Sequence, residues 1–231
     1  MGAEEDFQRA IELSPSYPTA YHWYGTNHLA PRGRFVEAQA QLERARALDP
    51  LNPAIGASVG FVHMLEGQLD AAVRHHTAVL ELDPQFGIAH SFLGQVYEGQ
   101  GRLEEAVAAY AKGRDLTGLS AETVAALAHA QALRGNRAVA EELLAGLIAP
   151  SAGGYVSPTR IAVVQAGLGN TDAALASLEE AHRLRAIDLV WLRVWPWFAS
   201  PRSEPRFERL VSAVGLGTTG QPVIGGEPAE R

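Results

Sequence analysis

The sequence predicts an all-α protein, a right-handed α-solenoid of antiparallel helical hairpins, and three observations support this fold class. Glycine recurs every 34 residues, at Gly33, Gly67, Gly101, Gly135 and Gly169. Alanine keeps the same spacing five residues later, at Ala38, Ala72, Ala106, Ala140 and Ala174. Three units end in nearly the same triplet, Leu13-Ser14-Pro15, Leu48-Asp49-Pro50 and Leu82-Asp83-Pro84. A fixed period of this length indicates stacked supersecondary units that bury their faces against their neighbours.

Each position that recurs with this period, which we call a column, predicts one part of the hairpin. Apolar residues spaced three and four apart form one stripe per helix. Glycine in the left-handed conformation ends the first helix. Proline ends the second, because it lacks an N–H and disfavours helix in the residue before it. Pro15 and Pro50 are 35 residues apart rather than 34, and we assign the extra residue to the turn at Ala30-Pro31-Arg32.

The elements follow in order along the chain. Residues 1–17 form a partial repeat with the second helix only, so the natural polypeptide extends upstream, another surface covers this face, or the first helix frays. Five repeats then occupy residues 18–51, 52–84, 85–118, 119–150 and 155–185. Residues 186–214 form an aromatic C-terminal cap whose Trp and Phe side chains are expected to seal the last repeat. Residues 215–231, rich in Gly, Thr, Pro and Glu, are predicted to be a disordered tail.

Period and columns together resemble the tetratricopeptide repeat, a helix–turn–helix unit of 34 residues, over roughly residues 3–185. The Trp expected in the first helix is mostly replaced, by Tyr21, Gly56, His90, Val124 and Pro158. The fourth unit ends in Ile148-Ala149-Pro150 and a longer loop through Gly153-Gly154. The resemblance implies a protein-binding solenoid.

The C-terminal aromatic run narrows this resemblance. Leu189-Val190-Trp191-Leu192 and Trp195-Pro196-Trp197-Phe198 look like the closing segment of certain bacterial repeat arrays. Those arrays are attached to winged-helix regulators, adenylate-cyclase-like proteins and Ser/Thr kinases. The resemblance implies a sensory or assembly module and confers none of those activities.

Composition excludes several classes of protein. With 19 Lys and Arg against 26 Asp and Glu, the net charge of −7 argues against general nucleic-acid binding. The absence of Cys excludes disulfides, thiolate nucleophiles and Cys-ligated zinc. No apolar run approaches the ~20 residues of a membrane-spanning helix, and the N-terminus is acidic, unlike a secretory signal. We therefore expect a cytoplasmic protein without membrane insertion.

Candidate catalytic and metal-binding residues do not form a convincing set. His75 and His76 are adjacent on a helix and point about 100° apart, so they cannot easily share a metal. His28 and His63 occupy equivalent positions in adjacent repeats, which fits side chains packed against one another better than a pair of metal ligands. The segment Gly167-Leu168-Gly169-Asn170-Thr171-Asp172 lacks the strand and lysine of a phosphate loop. We therefore predict no catalytic residue, metal or cofactor.

A ligand of such a solenoid would lie on the concave face, which the first helix of each hairpin lines. One-turn spacing from the buried columns places these residues there: His22, Thr26, Phe61, Met64, Ser91, Gln95, Glu98 and His129. The mixed apolar and polar surface favours a protein partner that offers an extended peptide or an amphipathic helix. Two alternatives stay open: a small-ligand sensor that regulates an attached effector, and self-association through the N-terminal face.

Overall fold

The computed structural model describes residues 2–118, 120–149 and 155–217, so the predicted tail lies outside the described residues from residue 218 onward. Twelve α-helices and no strand occur in these ranges. The helices are α1 (Ala3–Leu13), α2 (Pro18–Trp23), α3 (Phe35–Leu48), α4 (Pro53–Leu65), α5 (Leu69–Leu82), α6 (Gly87–Gly99), α7 (Leu103–Thr117), α8 (Ala121–Leu133), α9 (Arg137–Ile148), α10 (Pro158–Gly167), α11 (Thr171–Arg183) and α12 (Pro205–Ala213).

Successive helices pair into five hairpins, from α2 with α3 to α10 with α11, and the hairpins stack on one another. The predicted fold class, an all-α solenoid, is confirmed. The five periodic glycines lie in the turns within the hairpins with φ between +73° and +85°. Glycine adopts this left-handed conformation without a Cβ penalty, so it ends the first helix of each pair. All five periodic alanines are 0% exposed, in the core between helices.

The extra residue of the first repeat lies one turn earlier than the sequence suggested. Helix α2 continues as a π-helical turn, Tyr24–Leu29, before a 3-10 turn, Ala30–Arg32. A π turn spreads one additional residue over the same helical rise, so Gly33 still reaches its place in the repeat. The assignment of the extra residue to Ala30-Pro31-Arg32 is therefore corrected.

Beyond α11 the chain leaves the repeat pattern and forms three 3-10 turns, Ile187–Trp191, Pro196–Phe198 and Pro201–Ser203. Helix α12 then packs on α11. We call residues 187–198 the aromatic segment. Its first turn contacts the 3-10 turn that follows α2, and its second contacts α10. The aromatic segment thus bridges the first repeat, through its first turn, and the fifth repeat, through its second.

Candidate functional site

A row of aromatic rings connects the aromatic segment to the first helices of two hairpins. The ring of Phe61 on α4 stacks on Phe92 of α6, with centroids 4.7 Å apart. Trp191 meets Phe61 edge-on at 5.3 Å and stacks on Trp195 at 6.4 Å. Trp195 in turn lies 5.4 Å from Trp197. The row therefore joins the second and third repeats to the C-terminal end of the molecule.

The central part of the aromatic segment is buried. Six of its large apolar side chains are at most 6% exposed: Leu189, Leu192, Val194, Trp195, Trp197 and Phe198. Burying one such side chain contributes about 1.5–3 kcal/mol, so together they contribute on the order of 10 kcal/mol against the entropy cost of ordering the segment. The aromatic segment is thus packed into the apolar core of the fold.

Four of the predicted site residues lie in the interior that this segment closes: Met64, Gln95, Glu98 and His129. His129 Nδ1 lies 3.1 Å from Glu98 Oε1, and the Tyr110 hydroxyl donates to Glu98 Oε2 at 3.3 Å. The ring of Trp197 lies 6.4 Å from that of His129. His129 and Glu98 thus face one another inside the fold, whereas Gln95 Oε1 is buried without a hydrogen-bond partner among the described residues.

Ser91 belongs neither to the buried group nor to the residues that line the open pocket. It is half-buried on α6, and its hydroxyl donates to the carbonyl oxygen of Gly87 at 3.1 Å. This bond within one helical turn uses the hydroxyl donor locally.

The other three predicted residues, His22, Thr26 and Phe61, line a pocket that the aromatic segment leaves open. Its volume is about 210 Å³. Eight residues line this aromatic pocket: His22, Trp23, Thr26, Asn27, Ser58, Phe61, Phe92 and Trp191. The structure thus brings His22, Thr26 and Phe61 together in one pocket, and the other five predicted residues do not line it.

Inside the aromatic pocket, the polar groups are paired across helices. His22 Nε2 lies 2.8 Å from Ser58 Oγ and so links α2 to α4. The Thr26 hydroxyl donates to the carbonyl oxygen of His22. Burial lowers the pKa of His22 below its usual 6.5, so the imidazole is neutral near pH 7. The pocket floor therefore carries no formal charge.

Sequence reasoning missed five of the lining residues: Trp23, Asn27, Ser58, Phe92 and Trp191. A signal existed for three of them, because Trp23, Ser58 and Phe92 form a column of their own at spacings of 35 and 34. Each residue of this column comes directly after one of the predicted groove column, as Trp23 follows His22 and Phe92 follows Ser91. Nothing in the repeat pattern pointed to Trp191, which lies outside the repeats.

Two larger cavities lie elsewhere on the described surface. One, of about 510 Å³, lies between α1, α2 and α3 and is lined by charged groups such as Arg34 and Glu37. The other, of about 310 Å³, adjoins Arg160, whose guanidinium lies 3.7 Å from Glu122 and 3.6 Å from Asp188. In both, basic and acidic side chains already face one another.

Within the described residues, no helix is long and apolar enough to cross a membrane. No group of three or more His, Cys, Asp or Glu side chains in the same ranges could hold a metal ion.

Comparison with known sequences gives two matches. Residues 63–118, from the end of α4 to just past α7, match the family model described as tetratricopeptide repeat. Over 80 residues the chain is 31% identical to the TPR repeat-containing thioredoxin TTL4 of Arabidopsis thaliana. That stretch covers 35% of this chain and only 12% of the relative, so the likeness concerns the repeats alone.

Solved structures resemble the chain in fold. A chain of the APC/C hetero-tetramer Cut9-Hcn1 superposes with a TM-score of 0.64 at 13% identity, covering 93% of this chain and 44% of that one. A thermophilic TPR protein of Thermus thermophilus gives 0.60 at 19% identity, with coverages of 85% and 98%. PilF of Pseudomonas aeruginosa gives 0.54 at 16%, with coverages of 80% and 84%. At these identities the similarity concerns the fold alone.

Proposed function

We propose that this tetratricopeptide-repeat solenoid is a non-catalytic protein–protein interaction scaffold that binds a peptide or partner helix at the aromatic pocket. The observation that carries this proposal is the exposure of Trp23, which is 54% accessible and lines the aromatic pocket together with three residues of the predicted groove. Exposed aromatic side chains beside a pocket are characteristic anchors of protein interfaces. The bacterial signalling or regulatory context is part of the proposal and rests on the resemblance of the C-terminal segment.

A display library of random twelve-residue peptides, selected on the intact chain, tests the site. We expect selected peptides to bind about thirtyfold more weakly to the Trp23→Ala variant, which corresponds to the ~2 kcal/mol of an interface anchor. Tyr17→Ala is the matched control, since Tyr17, the residue before α2, is 53% exposed but does not line the pocket. Anisotropy titrations of labelled peptides give the Kd values.

Two results would contradict the proposal. One is a selection that yields no binding peptide. The other is a set of peptides whose Kd is the same for the wild type and for Trp23→Ala. Circular dichroism of each variant confirms that the helices are intact before the Kd values are compared.

A small-ligand sensor is the second candidate, and the cavity between α1, α2 and α3 favours it. Its volume of about 510 Å³ lies within the ~300–1,000 Å³ of small-molecule sites. A metabolite that raises the Tm of the intact chain would support this alternative.

A further inference from the structure

The chemistry of the aromatic pocket narrows the kind of partner that it can take. Four of its eight lining residues are aromatic, and none is Lys, Arg, Asp or Glu. Ring contacts connect Phe92, Phe61 and Trp191, while Trp23 makes no ring contact with another described residue. Trp23 therefore stands apart from the Phe61–Trp191 pair, with the open volume of the pocket beside it.

Hydrogen-bonding groups at the rim set a second requirement. The polar groups of His22, Thr26 and Ser58 are already paired with one another. The side chains of Trp23 and Asn27, both exposed, make no hydrogen bond to another described residue. An indole N–H can only donate, and the Asn27 amide offers two N–H donors and one acceptor oxygen, so donors outnumber acceptor atoms at the rim. An occupant is therefore best matched if it offers carbonyl acceptors at the rim.

Size sets a third requirement. At about 30 Å³ per molecule of liquid water, the 210 Å³ of the aromatic pocket equals the volume of about seven waters. This is below the ~300–1,000 Å³ typical of sites that enclose a whole small molecule. The pocket is the right size for one or two ring-sized side chains of a longer ligand.

Proline meets all three requirements better than the other side chains. Its ring is compact and apolar, and its backbone carbonyl accepts while no N–H is left to satisfy. Proline-rich segments are already extended in solution, so little conformational entropy is lost when they bind in aromatic-lined grooves. A cationic side chain fits less well, because no carboxylate lines the pocket to compensate for the loss of its hydration water.

We propose that the aromatic pocket binds a proline-rich peptide in the polyproline II conformation, with a proline ring beside Trp23 and the peptide carbonyls accepting from Trp23 and Asn27. This inference rests on the proposed function and names the partner class for the same site. Phe61 and Trp191 line the same pocket, so the docked aromatic segment completes the site.

Titration of the intact chain with fluorescein-labelled decaproline tests the inference. We expect saturable binding that weakens at least tenfold in Trp23→Ala and stays within twofold of the wild type in Tyr17→Ala. Trp23→Phe keeps a ring but removes the indole N–H, so its Kd is expected to lie between those of the wild type and Trp23→Ala. Asn27→Ala should weaken binding as well, because one rim donor is lost.

Further outcomes decide against the inference. It is overturned if decaproline does not bind at millimolar concentration, or if its Kd is unchanged in Trp23→Ala. It is equally overturned if labelled decalysine binds in a Trp23-dependent manner and decaproline does not. Library peptides that need Trp23 but contain no proline would overturn the proline inference and leave the proposed function standing.

Discussion

At the scale of single residues, His76 on α5 is a histidine held entirely inside the core. The equivalent positions of other repeats hold Leu42, Tyr110, Leu144 and Leu178. A Cβ added to Gly60 of α4 would lie 2.7 Å from His76 Cε1, so the glycine makes room for the ring. Burial is the main reason that the pKa of His76 falls to about 3, and His75 and His63 lower it further. The imidazole is therefore neutral in the folded protein at every pH near neutrality.

This burial predicts a pH dependence of stability. Below pH 6.5 the unfolded chain takes up a proton on His76 that the folded chain does not bind until about pH 3. The free energy of unfolding therefore falls as the pH is lowered through this window. His76 contributes up to about 1.4 kcal/mol per pH unit to that fall. In His76→Leu, which carries the residue of the equivalent repeat positions, we expect the slope to be shallower by that amount.

Urea unfolding at pH 7.5, 6, 5 and 4.5 measures the slope. His182→Leu, at an exposed position on α11, controls for the loss of a histidine as such and should keep the wild-type slope. An equal slope in His76→Leu and the wild type would refute the burial argument. His22, His28 and His75 also have lowered pKa values, so part of the slope should remain in every variant.

At the scale of elements, helix α1 is the least embedded, since none of its described residues is buried. Three of its side chains attach it to the neighbouring helices, and one of them, Ile11, packs against the apolar core. The ring of Phe7 stacks on Tyr24 at 5.5 Å, and Glu4 accepts from Tyr24 at 2.9 Å and from Arg34 at 2.7 Å. The Arg34 guanidinium, then the Tyr24 hydroxyl, lowers the pKa of Glu4 to about 2. Attachment of α1 therefore combines one charged group with the apolar contacts of Phe7 and Ile11.

We expect Glu4→Gln to loosen α1 without unfolding the repeats. The amide keeps the shape of the carboxylate but loses its charge, and hydrogen bonds to charged groups are the stronger ones. Amide hydrogen exchange should accelerate over residues 3–13 and stay unchanged in α4. Glu12→Gln is the control, because Glu12 pairs with Arg9 inside the same helix at 3.1 Å. If both variants exchange equally fast in α1, then Glu4 does not anchor the helix.

At the scale of the whole molecule, the aromatic segment changes how a repeat protein holds together. In an open solenoid each repeat contacts only its neighbours, so the array can unfold in parts. Here Trp191 reaches Phe61 in the second repeat, while the ring of Trp195 lies 5.0 Å from the guanidinium carbon of Arg160 in the fifth. Distant repeats are thus joined through one segment, and we expect the described part of the chain to unfold as one cooperative unit.

Trp195→Ala tests this coupling. Removing a buried Trp should lower the free energy of unfolding by about 3–5 kcal/mol. It should also separate the urea transitions followed by circular dichroism and by tryptophan fluorescence, which are expected to coincide in the wild type. Trp23→Ala removes a half-exposed Trp instead and should keep a single transition near the wild-type midpoint. Separate transitions in the wild type would show that the segment does not couple the repeats.

The sequence by itself determined the all-α solenoid, because its evidence is local and repeated. The turn at Gly33 and the close helix contact at Ala38 depend on residues within one or two repeats, and the same solution recurs at each period. Such short-range rules predict helices and turns well. The same rules grouped His22, Thr26 and Phe61 on one predicted face, and these three residues line the aromatic pocket.

Only the tertiary structure decided which part of that face stays open. The path of residues 187–198 depends on contacts between Trp191 and Phe61, which are far apart along the chain. Such contacts are set by the curvature of the whole solenoid, which accumulates small rotations from every repeat. No local sequence pattern gives the accumulated curvature of the solenoid. The burial of Gln95 and His129 and the exposure of Trp23 could therefore be read only from the folded molecule.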